Sequence, residues 1–104
     1  MPKVISVKQA AELQNAGSLL VDVREIEEFN AVAALSAINV PLSLIQKNGN
    51  DAYRNMGINP NTEDLLLICR SGVRSAVACD LLGENAINVE GGMLAWQAAD
   101  LPTR

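Results

Sequence analysis

The chain has 104 residues, a formal net charge of −4 and no histidine. It holds no basic cluster, which disfavours nucleic acid as a partner, and no apolar run approaches a membrane span. Without an imidazole there is no Ser-His or Cys-His nucleophile pair and no histidine metal site, and two cysteines alone do not make a structural zinc site.

This length fits one domain over residues 1–104. Phe29, Tyr53 and Trp96 are the only aromatics, so the core must be built from Leu, Ile, Val and Ala. Two cysteines and no secretory pattern near the start predict a reducing, cytoplasmic setting.

Val4-Ile5 predicts an edge strand. Ser6 with Gln9 fits a capping box that opens a helix at about Val7, and Gly17 suits its end. Leu19 to Val23 is a strand with a single charge, Asp22, in an otherwise apolar run. Such runs suit central parallel strands. Arg24 to Phe29 reads as a short acidic helical turn, and Ala37 to Val40 as a short strand stopped by Pro41. Leu42 to Gln46 predicts one or two helical turns, and Asn50 a cap for a helix through Met56, ended by Gly57. Pro60 to Asp64 is a loop.

Leu65 to Ile68 is an apolar strand that ends at Cys69. Arg70-Ser71-Gly72-Val73-Arg74-Ser75 then predicts a tight loop, and Ala76 to Leu82 a helix stopped at Gly83. Ala86 to Glu90 is a last strand, which Gly91-Gly92 turns into a helix from Met93 to Ala99. Strands alternate with helices throughout, so the class is α/β with a mostly parallel sheet.

In a parallel sheet every strand ends at one edge, and ligands bind outside it. Asp22 to Arg24, Pro41, Cys69-Arg70 and Glu90 to Gly92 are expected to gather there. A helix start presents unpartnered N–H groups and partial positive charge, so a sulfur placed there ionises more readily than a free thiol. Arg70 and Arg74 act in the same direction and suit a small dianion. Cys69 therefore reads as an anionic nucleophile in a cradle formed by Arg70, Ser71, Gly72, Val73, Arg74 and Ser75. Asp22 is expected to brace the site rather than move protons, because a buried carboxylate needs partners. Arg24 is expected to brace the site with it, either binding substrate or, in preference, pairing with Glu27 or Glu28. Gly91-Gly92 should let two backbones approach closely. Cys79, inside the helix, is too far along it to bridge a residue before the helix, and reads as core packing with Met93 and Trp96.

Asp22-Val23-Arg24-Glu25 with Glu28-Phe29, Ala37 to Leu42, Cys69 to Ser75, and Asn88 to Gly92 with Ala95-Trp96 resemble, in order and spacing, the rhodanese-like single-domain sulfurtransferases. The resemblance implies a small three-layer α/β domain with a central, mostly parallel sheet of about five strands flanked by helices. It also implies that Cys69 takes the outer sulfur of a donor such as thiosulfate, carries it as a persulfide, and passes it to cyanide or a partner's thiol. No cofactor, metal or nucleic acid enters that scheme, and no membrane. Many relatives carry Gly-His-Ile-Pro-Gly where this chain has Val32-Ala33-Ala34-Leu35-Ser36, which puts the loop shape there in question. Two other readings compete. A Cys-dependent phosphatase or arsenate reductase would need a longer loop than the residues Arg70 to Val73 that separate Cys69 from Arg74. A non-catalytic interaction module would leave Cys69 inert.

Overall fold

The structure is a computed structural model and describes residues 3–62 and 64–104. Glu63, in the loop predicted from Pro60 to Asp64, lies outside the described residues. Five strands, β1 (Lys3–Ile5), β2 (Leu20–Asp22), β3 (Ile38–Asn39), β4 (Leu65–Ile68) and β5 (Ala86–Val89), form one sheet in the order β1-β5-β4-β2-β3. All four pairings are parallel. The helices are α1 (Val7–Asn15), α2 (Ile26–Ala31), α3 (Leu42–Asn48), α4 (Asp51–Arg54), α5 (Val73–Leu82) and α6 (Gly92–Ala98).

β4 lies in the middle of the sheet and is buried at every position. Successive side chains on a strand point to opposite faces, which splits the core in two. Leu65 and Leu67 join Val21, Val40, Ile45, Tyr53 and Ala78 on the face covered by α3, α4 and α5. Leu66 and Ile68 join Leu20, Ile87, Met93 and Trp96 on the face covered by α1 and α6. A strand buried on both faces needs a continuous apolar run, which Leu65 to Ile68 provides.

Several ends follow from local chemistry. Ser6 accepts from the Gln9 N–H at 3.1 Å while the Gln9 side chain accepts from the Ser6 N–H at 3.0 Å, the expected capping box. Two of the boundaries that differ from expectation have a local cause. Asn50 has helical dihedrals and makes no side-chain cap, because α3 runs almost directly into the single turn of α4. α5 starts at Val73 rather than Ala76, because Gly72 takes φ +101° and completes the turn in one residue. Trp96 packs in the core and donates its indole N–H to the Pro102 carbonyl at 2.8 Å.

Among the described residues, no helix is long and apolar enough to cross a membrane.

Candidate active site

Cys69 leaves the carboxyl end of β4, where its backbone is fixed from behind. Its carbonyl accepts from the Met93 N–H at 2.7 Å, and the Arg70 carbonyl accepts from the Leu94 N–H at 3.0 Å. The first turn of α6 thus spends its unpartnered N–H groups on the two carbonyls that open the loop. This close approach needs Gly92, since a Cβ there would overlap the Cys69 carbonyl oxygen and lie 2.6 Å from the Arg70 carbonyl group. The expected role of Gly91-Gly92 is therefore met at Gly92, by contact.

The other side of the loop faces the sulfur. The Gly72 N–H donates to Cys69 Sγ at 3.0 Å, and the Ser75 hydroxyl lies 3.3 Å from it. Cys69 is 1% exposed, so the sulfur forms the floor of the loop. Burial by itself pushes its thiol up. The Ser75 hydroxyl and the N–H groups of Ser75, Gly72 and Ser71 outweigh that and hold it below the ordinary thiol value. Backbone dipoles and one hydroxyl thus supply the lowering in a chain that has no histidine.

The predicted cradle residues take separate places. Arg70, Ser71 and Val73 are exposed around the loop, and Gly72 is half-buried. Ser75 is fully buried under the sulfur. Arg74 points away toward α2, where its two terminal nitrogens meet the Glu28 carboxylate oxygens at 2.6 and 2.9 Å. That forked hydrogen bond holds Glu28 below the usual carboxylate range and raises Arg74. Arg70 is in no ion pair among the described residues.

Asp22 and Arg24 stand at the carboxyl end of β2, beside β4, with Asp22 in register with Ile68. The expected pairing of Arg24 with Glu27 or Glu28 is not what forms. Arg24 folds back onto Asp22 instead, with its Nη2 2.8 Å and its Nε 3.0 Å from the carboxylate, and its backbone N–H adds a bond at 2.9 Å. Both are buried, at 0% and 4% exposure, so each needs the other's charge more than exposed Glu27 could offer. The same Nη2 donates to the Val32 carbonyl at 2.6 Å. Asn39 adds its amide to the Asp22 and Arg24 carbonyls at 3.0 and 2.8 Å.

The Val32 to Ser36 stretch thereby gains a fixed shape without the Gly-His-Ile-Pro-Gly pattern. Arg24 holds Val32, while the Leu35 N–H donates to the Pro102 carbonyl and the Arg104 N–H to the Ala33 carbonyl, each at 3.0 Å.

Cys79 is buried on α5 in the core, and both cysteines are free. Burial, then the charges of Asp80 and Cys69, pushes its thiol up to about 12. The sequence alone offers Arg74 no partner in Glu28, and it places Asn88 in the last strand without a role in the site. Asn88 is a polar residue in the buried strand β5, 8% exposed, and bonds both Ser75 and Gly72. It carries the same signal as Asp22, a lone polar side chain in an apolar run.

Comparison with known proteins agrees with this fold. The model of the rhodanese-like domain matches residues 6–99. The chain is 34% identical over 113 residues to thiosulfate sulfurtransferase 16, chloroplastic, of Arabidopsis thaliana, covering 100% of this chain and 94% of that one. It is 34% identical over 86 residues to a putative sulfurtransferase of Bacillus subtilis, covering 80% and 77%. Among solved structures, a rhodanese-related protein from Thermoplasma volcanium superposes with a TM-score of 0.81 at 26% identity, covering 98% and 97%. With the match running from the cap of α1 to the end of α6, the chain belongs to the rhodanese-like domain family.

Proposed function

We infer that the protein is a sulfurtransferase of the rhodanese type, with Cys69 as its nucleophile. The single observation that carries this reading is the Gly72 N–H aimed at Cys69 Sγ at 3.0 Å, with the Ser75 hydroxyl beside it. Donors fixed in advance around a sulfur stabilise its negative charge without reorganising. Relatives named sulfurtransferases support the same class of reaction.

The cycle has two displacements. The Cys69 thiolate attacks the outer sulfur of thiosulfate, a new S–S bond forms, the S–S bond of thiosulfate breaks, and sulfite leaves with the electron pair. Cyanide or a thiolate on a partner protein then attacks the terminal sulfur, and Cys69 departs as the thiolate. Each step is a balanced two-electron transfer and needs no external oxidant. Exposed Arg70 draws the dianion toward the loop, and the amides from Ser71 to Ser75 receive the sulfur it delivers. With Arg74 committed to Glu28, the loop lacks the paired cation that would grip a tetrahedral phosphate, which favours sulfur transfer over phosphatase chemistry. A free, low-pKa thiol needs a reducing environment, and we place the protein in the cytoplasm on that ground.

Mass spectrometry after exposure to thiosulfate tests the reading. The intact protein should gain one sulfur atom, released by cyanide, and Cys69→Ser should gain none. No gain in the unaltered protein, or the same gain in Cys69→Ser, would overturn it.

A further inference from the structure

The Asn88 carboxamide reaches two parts of the loop at once. Its nitrogen donates to the Gly72 carbonyl at 3.1 Å, and its oxygen lies 2.6 Å from the Ser75 hydroxyl. The orientation is forced. A backbone carbonyl only accepts, so the NH2 group must face Gly72, which leaves Oδ1 facing Ser75 as an acceptor. Ser75 has one proton to give and two acceptors in reach, Asn88 Oδ1 at 2.6 Å and Cys69 Sγ at 3.3 Å.

The occupied acceptor depends on the charge of the sulfur. A neutral Sγ–H can donate to a lone pair of Ser75 Oγ, while Ser75 keeps its proton on Asn88. A thiolate is the stronger acceptor, because hydrogen bonds to ionised groups are about twice as strong as neutral ones. Ser75 must then rotate its proton to the sulfur and leave the buried Asn88 oxygen without it.

We propose that Asn88 is a positioning residue that shares the Ser75 proton with the Cys69 sulfur, holding it when the sulfur is uncharged and yielding it when the sulfur is anionic. The assignment rests on the sulfur-transfer reading for its purpose. When Cys69 carries a second sulfur, the inner sulfur is no longer anionic and the charge sits on the outer one. Asn88 then takes the hydroxyl back. The carboxamide thus stabilises the loaded state relative to the bare thiolate, so neither half of the cycle becomes a trap.

Arg74 and Cys79, both on α5, feel the sulfur's charge, and the exposed cation Arg70 follows Cys69 directly in the loop. The buried Asp22–Arg24 pair at the end of β2 is mutually neutralised, and the α6 side of the loop is packed by the Gly92 backbone. None of these is altered by a change at position 88.

The test is the titration of Cys69, followed by thiolate absorbance and by the pH dependence of alkylation. Asn88→Ala should lower the apparent pKa by about half to one unit, the range expected when one competing hydrogen bond is removed. In a Ser75→Ala background the same change should have no effect. An unchanged or raised value in Asn88→Ala, or an equal fall without Ser75, would show that Asn88 only anchors Gly72 and would overturn the proposal. The unaltered protein gives a second measurement that no misfolded variant can spoil. The side-chain amide resonances of Asn88 should move with the Cys69 titration and stay still in Cys69→Ala, and resonances indifferent to that titration would overturn the proposal as well. Neither measurement involves a sulfur donor, so failure here and failure to load sulfur on Cys69 are told apart.

Discussion

Gly92 and Arg70 touch backbone to backbone, and that contact decides which way the loop faces. A Cβ at Gly92 would lie 2.6 Å from the Arg70 carbonyl group, and the Leu94 N–H holds the same carbonyl at 3.0 Å. With the carbonyls of Cys69 and Arg70 drawn to α6, the N–H groups that follow are left to face the sulfur.

Gly92→Ala should therefore damage stability and site together. The residue has φ +55° and meets backbone atoms that cannot yield. Gly57 is the control, with φ +77° and nothing within 4 Å of a built Cβ. Gly57→Ala should cost about 1 kcal/mol from the left-handed backbone alone. Gly92→Ala should cost about 3 kcal/mol or more, as overpacking adds to the same strain. Urea unfolding of both variants measures the difference. Equal losses would mean that the α6 contact does not constrain the loop.

The two cysteines should respond to pH in opposite directions. Cys69 sits below the ordinary thiol value and Cys79 at about 12. An alkylating reagent near neutral pH should label Cys69 and leave Cys79 untouched, as peptide mapping would show. For stability, the depressed Cys69 contributes fully above the unfolded thiol value of about 8.5 and loses that contribution as pH falls through its folded value. Cys79 contributes below about 8.5 and loses its contribution as pH rises toward 12, because the unfolded chain ionises first. Tyr53, likewise raised to about 12 by burial, adds to the alkaline loss above about 10. Cys79→Ala should flatten the decline of stability between about pH 8.5 and 12 relative to the unaltered protein. An unchanged decline would remove Cys79 as its source.

Much of this was legible in the sequence, because strands and helices announce themselves locally. The run Leu65 to Ile68, the capping box at Ser6 and Gln9, and the Gly91-Gly92 pair are short-range signals, and each sits where the sheet needs it. Cys69 was legible because a parallel sheet brings its strand ends to one edge. The pairings were not. Arg74 meets Glu28 across 46 positions, and Arg24 turns back by two to Asp22 rather than forward along α2. Such choices depend on burial, which sets how badly each charge needs a partner, and periodicity carries no record of it. Asn88 was hidden for the same reason, since its partners Ser75 and Gly72 come from another element.

The Glu28–Arg74 pair tests how much of the loop's shape depends on α2. Its geometry is bidentate, but both side chains are 35% exposed, so solvent screens it. Glu28→Gln should cost no more than about 1 kcal/mol at neutral pH. The lowered carboxyl makes its contribution above the ordinary carboxylate value of about 4.3 and loses it as pH falls through the folded value. Stability curves of the two proteins should therefore meet in acid below the folded value, open as pH rises toward about 4.3 and keep a constant gap above it. Added salt should narrow the gap at pH 7. A gap that persists unchanged in strong acid would assign the effect to packing rather than charge.

The Asp22–Arg24 pair is the opposite case, because water cannot compensate for a missing partner. Asp22 is 0% exposed and receives the Arg24 guanidinium and backbone N–H together. Asp22→Asn leaves a buried guanidinium without its counter-charge, and Arg24→Met leaves a buried carboxylate without its own. Each should cost about 3–5 kcal/mol. The doubly altered Asp22→Asn, Arg24→Met protein removes both charges, and its loss should fall well short of the sum of the two single losses. The Val32 carbonyl loses its donor in both Arg24→Met proteins, so that part of the damage should remain. A complete double-mutant cycle by urea unfolding separates the parts. Additive losses would mean that the two residues act independently.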